Sequence, residues 1–300
     1  MEKILISGAS GWLGNSTLRY LEKQYALEKL NENLQVVSTS NKNLDFFPSI
    51  KTKTYEQLID EDSEYDGFIH LASLTKDKSL VMNKSEYIGE YLKITSSAVQ
   101  LLQKTKKWFV FISSGAIWEE PNQTLEKSID KNPYGFLKRL EENLFAEICK
   151  NLGITYVCGR LWGGAGFDLR EPEKYALGSL ILNAINNENL QINSGHKVYR
   201  RYVDTNIFME LCIKMAQKGM TKTFDSGGEI VELQDIAEII RLKFPKLQVI
   251  RPNKATQRDD QYFSRNKEFE ELLKDFDLQH PTISELIVQT ITGLQSRLSK

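Results

Sequence analysis

This chain is poor in the residues that build cross-links or metal sites. Its 300 residues include only 3 cysteines and 3 histidines. Cys149, Cys158 and Cys212 follow no paired spacing, so a disulfide framework is not expected and the thiols are read as reduced. No Cys/His cluster has ligand spacing, and no metal site is assigned. Neither sign of charge is in excess: 39 basic against 40 acidic residues leave a net charge of -1. That balance gives no footing for nucleic acid or an anionic membrane surface. Lys104, Lys106 and Lys107 cluster where a helix should end, and cations there complement the helix dipole. No leader and no apolar run of the length that spans a bilayer are read, so a cytoplasmic location with no membrane partner is expected. Internal repeats and low-complexity segments are also lacking. What is present is 41% hydrophobic residues, enough for a large core in one domain or two closely joined ones.

The opening stretch MEKILISGASGWLG organises the rest. Lys3 to Ser7 reads as a short buried strand with Ile4, Leu5 and Ile6 as its apolar run. Gly8, Gly11 and Gly14 follow at spacing three and three. Leu13, Leu18 and Leu21 then recur at helical spacing, so a helix opens inside the glycine loop. Such a turn lets backbone N–H groups approach a pyrophosphate and aims a helix N-terminus at it. The glycines divide the work among a left-handed bend, close ligand approach and tight helix packing. A dinucleotide site is the expectation.

Leu34 to Thr39 reads as the second strand. A carboxylate at its tip would bond the ribose 2′-hydroxyl of NAD. Here the tip carries Thr39, Ser40, Asn41 and Lys42, which have no charge to repel a 2′-phosphate. This favours NADP(H), with NAD(H) as the alternative. Further strands are expected at Asp66–Ala72, Trp108–Ser113 and Ile154–Arg160. Helical regions are expected at about Ser79–Lys104 and Pro133–Leu152. The alternation implies an α/β fold: a doubly wound parallel sheet of Rossmann type over residues 1–160. Residues 161–300 read as a smaller mixed α/β substrate-binding part, with helices near 176–187, 205–217, 232–243, 266–274 and 282–298. Short strands are expected near 190–192, 222–226 and 247–251, and the two parts are expected to exchange segments.

Tyr134 and Lys138 are four apart on an expected helix and so share a face. A free tyrosine has a pKa of ~10, too high for a base near neutrality. A cation within ~4–6 Å lowers an acid's pKa by ~1–3 units. Lys138 and an oxidised nicotinamide could both do this for Tyr134. Ser114 lies at the C-terminal end of a strand, where open α/β sheets bind ligands. Its hydroxyl could hold the same substrate oxygen. The chemistry that needs this set is hydride transfer at a carbinol or carbonyl carbon. His70 is expected to end a buried strand and satisfy backbone groups.

With these residues in view, the chain resembles the extended short-chain dehydrogenase/reductases, the nucleotide-sugar epimerases, dehydratases and reductases. The resemblance rests on GASGWLG at 8–14, DGFIHLA at 66–72, FISSGAIW at 111–118 and YGFLK at 134–138. It continues through YRRYVD at 199–204 and FDSGGEIVELQDIAEII at 224–240. It implies a Rossmann domain holding the cofactor and a C-terminal part holding a nucleotide-diphosphate sugar. Carried over, Gly8, Ser10, Gly11, Trp12, Leu13 and Gly14 line the pyrophosphate. Leu71, Ala72 and Ser73 lie near the adenosine and ribose. Ser114, Tyr134 and Lys138 form the catalytic triad, with Lys138 also on the nicotinamide ribose. Trp118 stands near the substrate mouth, and Arg200 or Arg201 meets the diphosphate. Gly115 and Ala116 replace the Asp-Glu of the dehydratases, and Ala116 also replaces the cysteine used in 3,5-epimerisation. The expected activity is NADP(H)-dependent reduction of a nucleotide-linked 4-keto sugar, with a 4-epimerase as the alternative. A non-catalytic dinucleotide-binding module is a third reading, disfavoured because such relatives usually lose the tyrosine or lysine. The resemblance also implies a homodimer through the 79–104 and 133–152 helices.

Overall fold

A computed structural model describes the chain apart from residues 1, 38–43, 45–46, 120–123, 254–257 and 299–300. The chain divides into two compact units. The first comprises Met1–Leu161 and Met209–Phe224, and the second Trp162–Phe208 and Asp225–Lys300.

The first unit is built on a seven-stranded parallel sheet. Numbered among themselves, its strands are β1 (Ile4–Ser7), β2 (Leu34–Val37), β3 (Thr52–Lys53) and β4 (Tyr65–His70). They continue with β5 (Thr105–Ser114), β6 (Thr155–Leu161) and β7 (Lys222–Asp225). Their spatial order is 7-6-5-4-1-2-3. Every residue of β1, and β5 from Trp108 onward, is buried, as strands covered on both faces must be. Among the described residues up to Leu161 there are six α-helices: α1 (Trp12–Gln24), α2 (Leu27–Asn33), α3 (Tyr55–Asp60), α4 (Lys78–Val81), α5 (Lys84–Leu102) and α6 (Pro133–Leu152). One apolar cluster joins α3, α5 and α6 to the sheet, with Phe68, Phe109, Phe111 and Phe145 at its centre.

Local sequence explains where these helices begin and end. Asn132 caps α6, its Oδ1 accepting from Gly135 N at 2.9 Å. Pro133 sits at the first helical position, where its missing N–H costs nothing. Gly153 closes the helix at φ +67°, a left-handed cap open to glycine. The expected helix over Ser79–Lys104 is instead two. Asn83 accepts from Ser85 N at 2.9 Å and starts α5 afresh, as an N-cap does.

The lysine cluster also differs from expectation. α5 ends at Leu102. Lys104 Nζ donates to the carbonyls of Leu58 (3.0 Å), Ile59 (2.6 Å) and Glu61, so it closes the end of α3 rather than of its own helix. Lys106 and Lys107 lie in β5 and pair with Glu64 at 2.7 Å and Asp66 at 2.9 Å.

The second unit has its own apolar core. It gathers faces of α7 (Ala176–Ile185), α9 (Leu233–Lys243) and α11 (Ile283–Leu298), such as Leu177, Leu180, Ile181 and Ala184 on α7. α8 (Thr205–Gln217) carries the chain from the second unit into the first, and α10 is Glu268–Asp275. A small sheet pairs Val198–Arg201 antiparallel with Ile230–Glu232 and parallel with Asp260–Tyr262. Among the described residues no helix is long and apolar enough to cross a membrane.

Glu232 caps α9 through Gln234 N at 2.8 Å and accepts from Val198 N and the Arg251 guanidinium. Burial alone would raise its carboxyl, but bonds from Arg251 and the two amides outweigh that and hold it below the usual range. A depressed folded-state pKa stabilises above the unfolded value and is lost as pH falls through the folded one. The stability gap between the native protein and Glu232→Gln is therefore expected to narrow as urea melts are taken from pH 7 into the acid range.

Candidate functional site

Three loops at the C-terminal ends of β1, β4 and β5 make the candidate site. Strand order reverses between β1 and β4, and ligands of open α/β sheets bind at that switch point. After β1 the chain turns at Gly8, φ +75°, where a Cβ would lie 2.6 Å from Ala72 N and 2.7 Å from Leu71 C. The left-handed bend and the close approach to the loop after β4 both require glycine. At Gly14 a Cβ would lie 2.4 Å from Ala9 Cα and Gly8 O, so α1 packs directly on the turn. Gly11 is the N-cap of α1 in extended conformation, and neither a capping side chain nor an acidic residue occupies the first turn. The first turn, which holds Trp12, Leu13 and Gly14, is thus a backbone N–H surface suited to an anion. Ser10, in the turn before it, is exposed. This cradle fits the pyrophosphate of a dinucleotide.

The neighbouring loop is tethered. Leu71 N donates to Ser7 O at 3.1 Å, and Tyr87 Oη donates to Leu74 O at 3.3 Å. Leu71, Ala72 and Ser73 are therefore held beside the glycine turn. His70 packs among Phe109, Phe111 and Phe145. Its Nδ1 lies 2.6 Å from Ser7 Oγ. Burial first, then the Lys138 charge, push its imidazole down to about 3. His70 ends β4 as expected, but the group it meets is the Ser7 side chain rather than the backbone. Thr39, Ser40, Asn41 and Lys42 lie outside the described residues.

Register places Ser114. His70 pairs with Phe111 across β4 and β5, so β5 runs three residues past that level, roughly 10 Å at strand rise. Ser114 Oγ then accepts from Ala116 N at 3.2 Å and starts the short turn Gly115–Ile117. α6 docks on that turn: Asn132 Nδ2 donates to Ala116 O at 2.9 Å, and a Cβ on Gly135 would lie 2.0 Å from the same carbonyl. The serine turn and the first turn of α6, which carries Tyr134, are locked together. Tyr134 is half-buried against Tyr87, Tyr91 and Leu137.

Lys138 follows one helical turn later and is only 3% exposed. Its Nζ donates to Ile112 O at 3.2 Å and lies 3.3 Å from Glu141 Oε2 and 4.6 Å from the Phe111 ring centre. Tyr134, Lys138 and Glu141 recur at i, i+4 and i+7, one face of α6. Glu141 and its partners on α5 were missed in the sequence reading, although that spacing was available. Glu142 points elsewhere and grips Arg160 with two oxygens, the shortest contact 2.8 Å, while Arg160 lies over the Trp118 ring at 5.3 Å. Trp118 is half-buried within a strand pair with Leu125.

Arg200 and Arg201 belong to the second unit, and the structure separates their roles. Arg201 is buried and spends its guanidinium on the carbonyls of Gly228 (2.7 Å), Ser264 (3.0 Å) and Asn266 (3.0 Å), and on Glu270. Arg200 is more exposed and forms a two-pronged pair with Asp260 at 3.1 and 2.7 Å. Arg201→Ala is expected to cost on the order of 3 kcal/mol, because buried acceptors lose a charged donor. Arg200→Ala should cost under about 1 kcal/mol. Urea melts of the two variants check this.

Residues 4–226 match the sequence model of the NAD dependent epimerase/dehydratase family. The chain belongs to that family. Among curated members, a UDP-glucose 4-epimerase of Halalkalibacterium halodurans is 24% identical, with 79% of each chain covered. Two solved structures share the fold. One is a UDP-N-acetylglucosamine 4-epimerase of Methanobrevibacter ruminantium in complex with UDP-N-acetylmuramic acid: TM-score 0.75, 17% identity, 99% of both chains covered. The other is a UDP-glucose 4-epimerase of Brucella ovis in complex with NAD: TM-score 0.76, 16% identity, 98% of this chain and 99% of that one covered. This epimerase/dehydratase family member is thus an NAD-dependent enzyme, either an epimerase or an oxidoreductase.

Proposed function

We propose that this protein is a UDP-hexose 4-epimerase that works with a bound NAD. Tyr134, on the helix turn docked against the strand-end serine, with Ala116 offering no acid or base, suits this reaction and reduction alike, and the observation that favours epimerisation is the similarity to 4-epimerases. Inversion at C4 needs one group to move the hydroxyl proton out and back, and no other. Reduction of a 4-keto sugar by NADPH, the leading expectation from sequence, uses the same side chains but lacks support among these relatives. The preference for NADP rested on residues outside the described part. The family's NAD dependence and the NAD held by the Brucella enzyme support NAD instead.

Bound NAD supplies the place where the C4 hydride is kept and from which it returns. Ser114 holds the 4-oxygen, and Tyr134 takes its proton and returns it to that same oxygen, the configuration at C4 being inverted because the sugar presents its other face when the hydride would return. Lys138 keeps a positive charge one turn from that phenol. Gly8, Gly11 and Gly14 seat the pyrophosphate, and of the two arginines Arg200 is kept as the candidate for the sugar diphosphate because Arg201 is spent on backbone carbonyls and Glu270. A homodimer through α5 and α6 is supported by exposed Leu92, Leu140 and Leu144. The test is direct: purified protein with NAD is given UDP-galactose, UDP-glucose and their N-acetyl counterparts. Interconversion without net cofactor consumption supports the reading. Net NADPH oxidation with a 4-keto sugar and no interconversion overturns it.

A further inference from the structure

Lys138 is turned inward, and what it meets there comes from two elements, one of them braced by a third. The backbone carbonyl of Ile112 and the Phe111 ring belong to β5. The carboxylate of Glu141 belongs to α6 and is 2% exposed. That carboxylate is itself clamped from α5, where Tyr91 Oη donates at 2.6 Å and Thr95 Oγ1 at 2.8 Å. Burial first, then the Glu141 charge, hold the Tyr91 phenol well above its usual range, so it is a constant donor. One oxygen takes Tyr91 and Lys138 and the other takes Thr95. The carboxylate has no freedom to rotate.

A buried ion pair is weak evidence for stability, because desolvation consumes most of its Coulomb gain. Its value here is geometric. We propose that Glu141, fixed by Tyr91 and Thr95, is a positioning residue that sets where the Lys138 ammonium stands relative to Tyr134 and the bound cofactor. The inference rests on the reading of Lys138 given above and names the device that holds it. Glu141 itself touches neither sugar nor cofactor in this role. It acts through Lys138 alone.

That last point yields the test, a double-mutant cycle on the full-length protein with Glu141→Gln, Lys138→Met and the pair. Two readouts are taken: the kinetics (kcat and KM) for UDP-galactose, and the dissociation constant of NADH by fluorescence. Glu141→Gln is expected to lower kcat roughly 10- to 100-fold, the scale of a small misplacement, with KM for the sugar within about threefold. NADH binding should weaken several-fold. In the Lys138→Met background Glu141→Gln should have no further effect on either quantity, since it has nothing left to position. Thr95→Val removes one clamp and should give a smaller loss in the same direction. It also carries the test should Glu141→Gln fail to fold. Losses that add in the double mutant, or a lowered melting temperature with kcat and NADH affinity unchanged, overturn the proposal. Should the native enzyme interconvert no UDP-hexose, the 4-epimerase reading fails by itself. The NADH cycle then still decides Glu141: non-additive losses support it and additive ones overturn it.

Discussion

Tyr134→Phe is expected to lose epimerisation by about 100- to 10,000-fold, the usual worth of a positioned acid/base, while its content of bound nucleotide stays at the native level. The substitution removes one oxygen and keeps the ring. That ring is half-buried against Tyr87, Tyr91 and Leu137, so no cavity opens and stability should move by less than about 0.5 kcal/mol. The docking of α6 on the serine turn runs through Asn132 and Gly135, neither of which is touched. The variant thus isolates proton transfer from assembly of the site. Turnover of UDP-galactose, with nucleotide released by denaturation and quantified, reads both. A variant with native turnover would take Tyr134 out of the reaction.

Gly14→Ala and Gly11→Ala should part company, and the contrast reports what the glycine turn is for. At Gly14 the added carbon would stand 2.4 Å from Ala9 Cα, Ala9 O and Gly8 O, all backbone atoms that cannot swing aside. α1 must shift, costing about 1–3 kcal/mol of overpacking and moving its N-terminal amides off the pyrophosphate. At Gly11 the nearest atom would be Gly8 O at 3.3 Å, and φ is -78°. An alanine fits the fold there, but its methyl occupies ligand space. Gly14→Ala should lose both thermal stability and NAD affinity, and Gly11→Ala mainly NAD affinity. Differential scanning calorimetry and NADH fluorescence separate the two. Equal stability loss in both variants would contradict this division.

Much of this was legible because it is local. The run Ile4–Ile6 followed by three glycines announces a strand, a turn and a helix within fourteen residues. The helix expected over Pro133–Leu152 has those bounds in the structure. Tyr134 and Lys138 share a face by arithmetic alone. What escaped depends on partners distant in sequence. β7 was expected as a short strand of the C-terminal half, yet it extends the first unit's sheet beside β6. Strand choice of that kind is decided by what lies open at a sheet edge. Arg200 and Arg201 were equivalent in sequence. Only the carbonyls of Gly228, Ser264 and Asn266 reveal that Arg201 is spent on structure. Glu141 lay on the same helix face as Lys138, but its clamp on α5 is 46 and 50 residues away in sequence. The lysine cluster misled for the same reason, since the carbonyls that Lys104 closes belong to α3.

The measurement that bears most directly on the account uses UDP-galactose carrying deuterium at C4. Incubated with the native protein and NAD in ordinary water, it should yield UDP-glucose that keeps the deuterium at C4, with no net change in NADH absorbance. Loss of the label to solvent, or conversion that consumes a nicotinamide cofactor mole for mole, would contradict a hydride that leaves and returns while Tyr134 holds the proton.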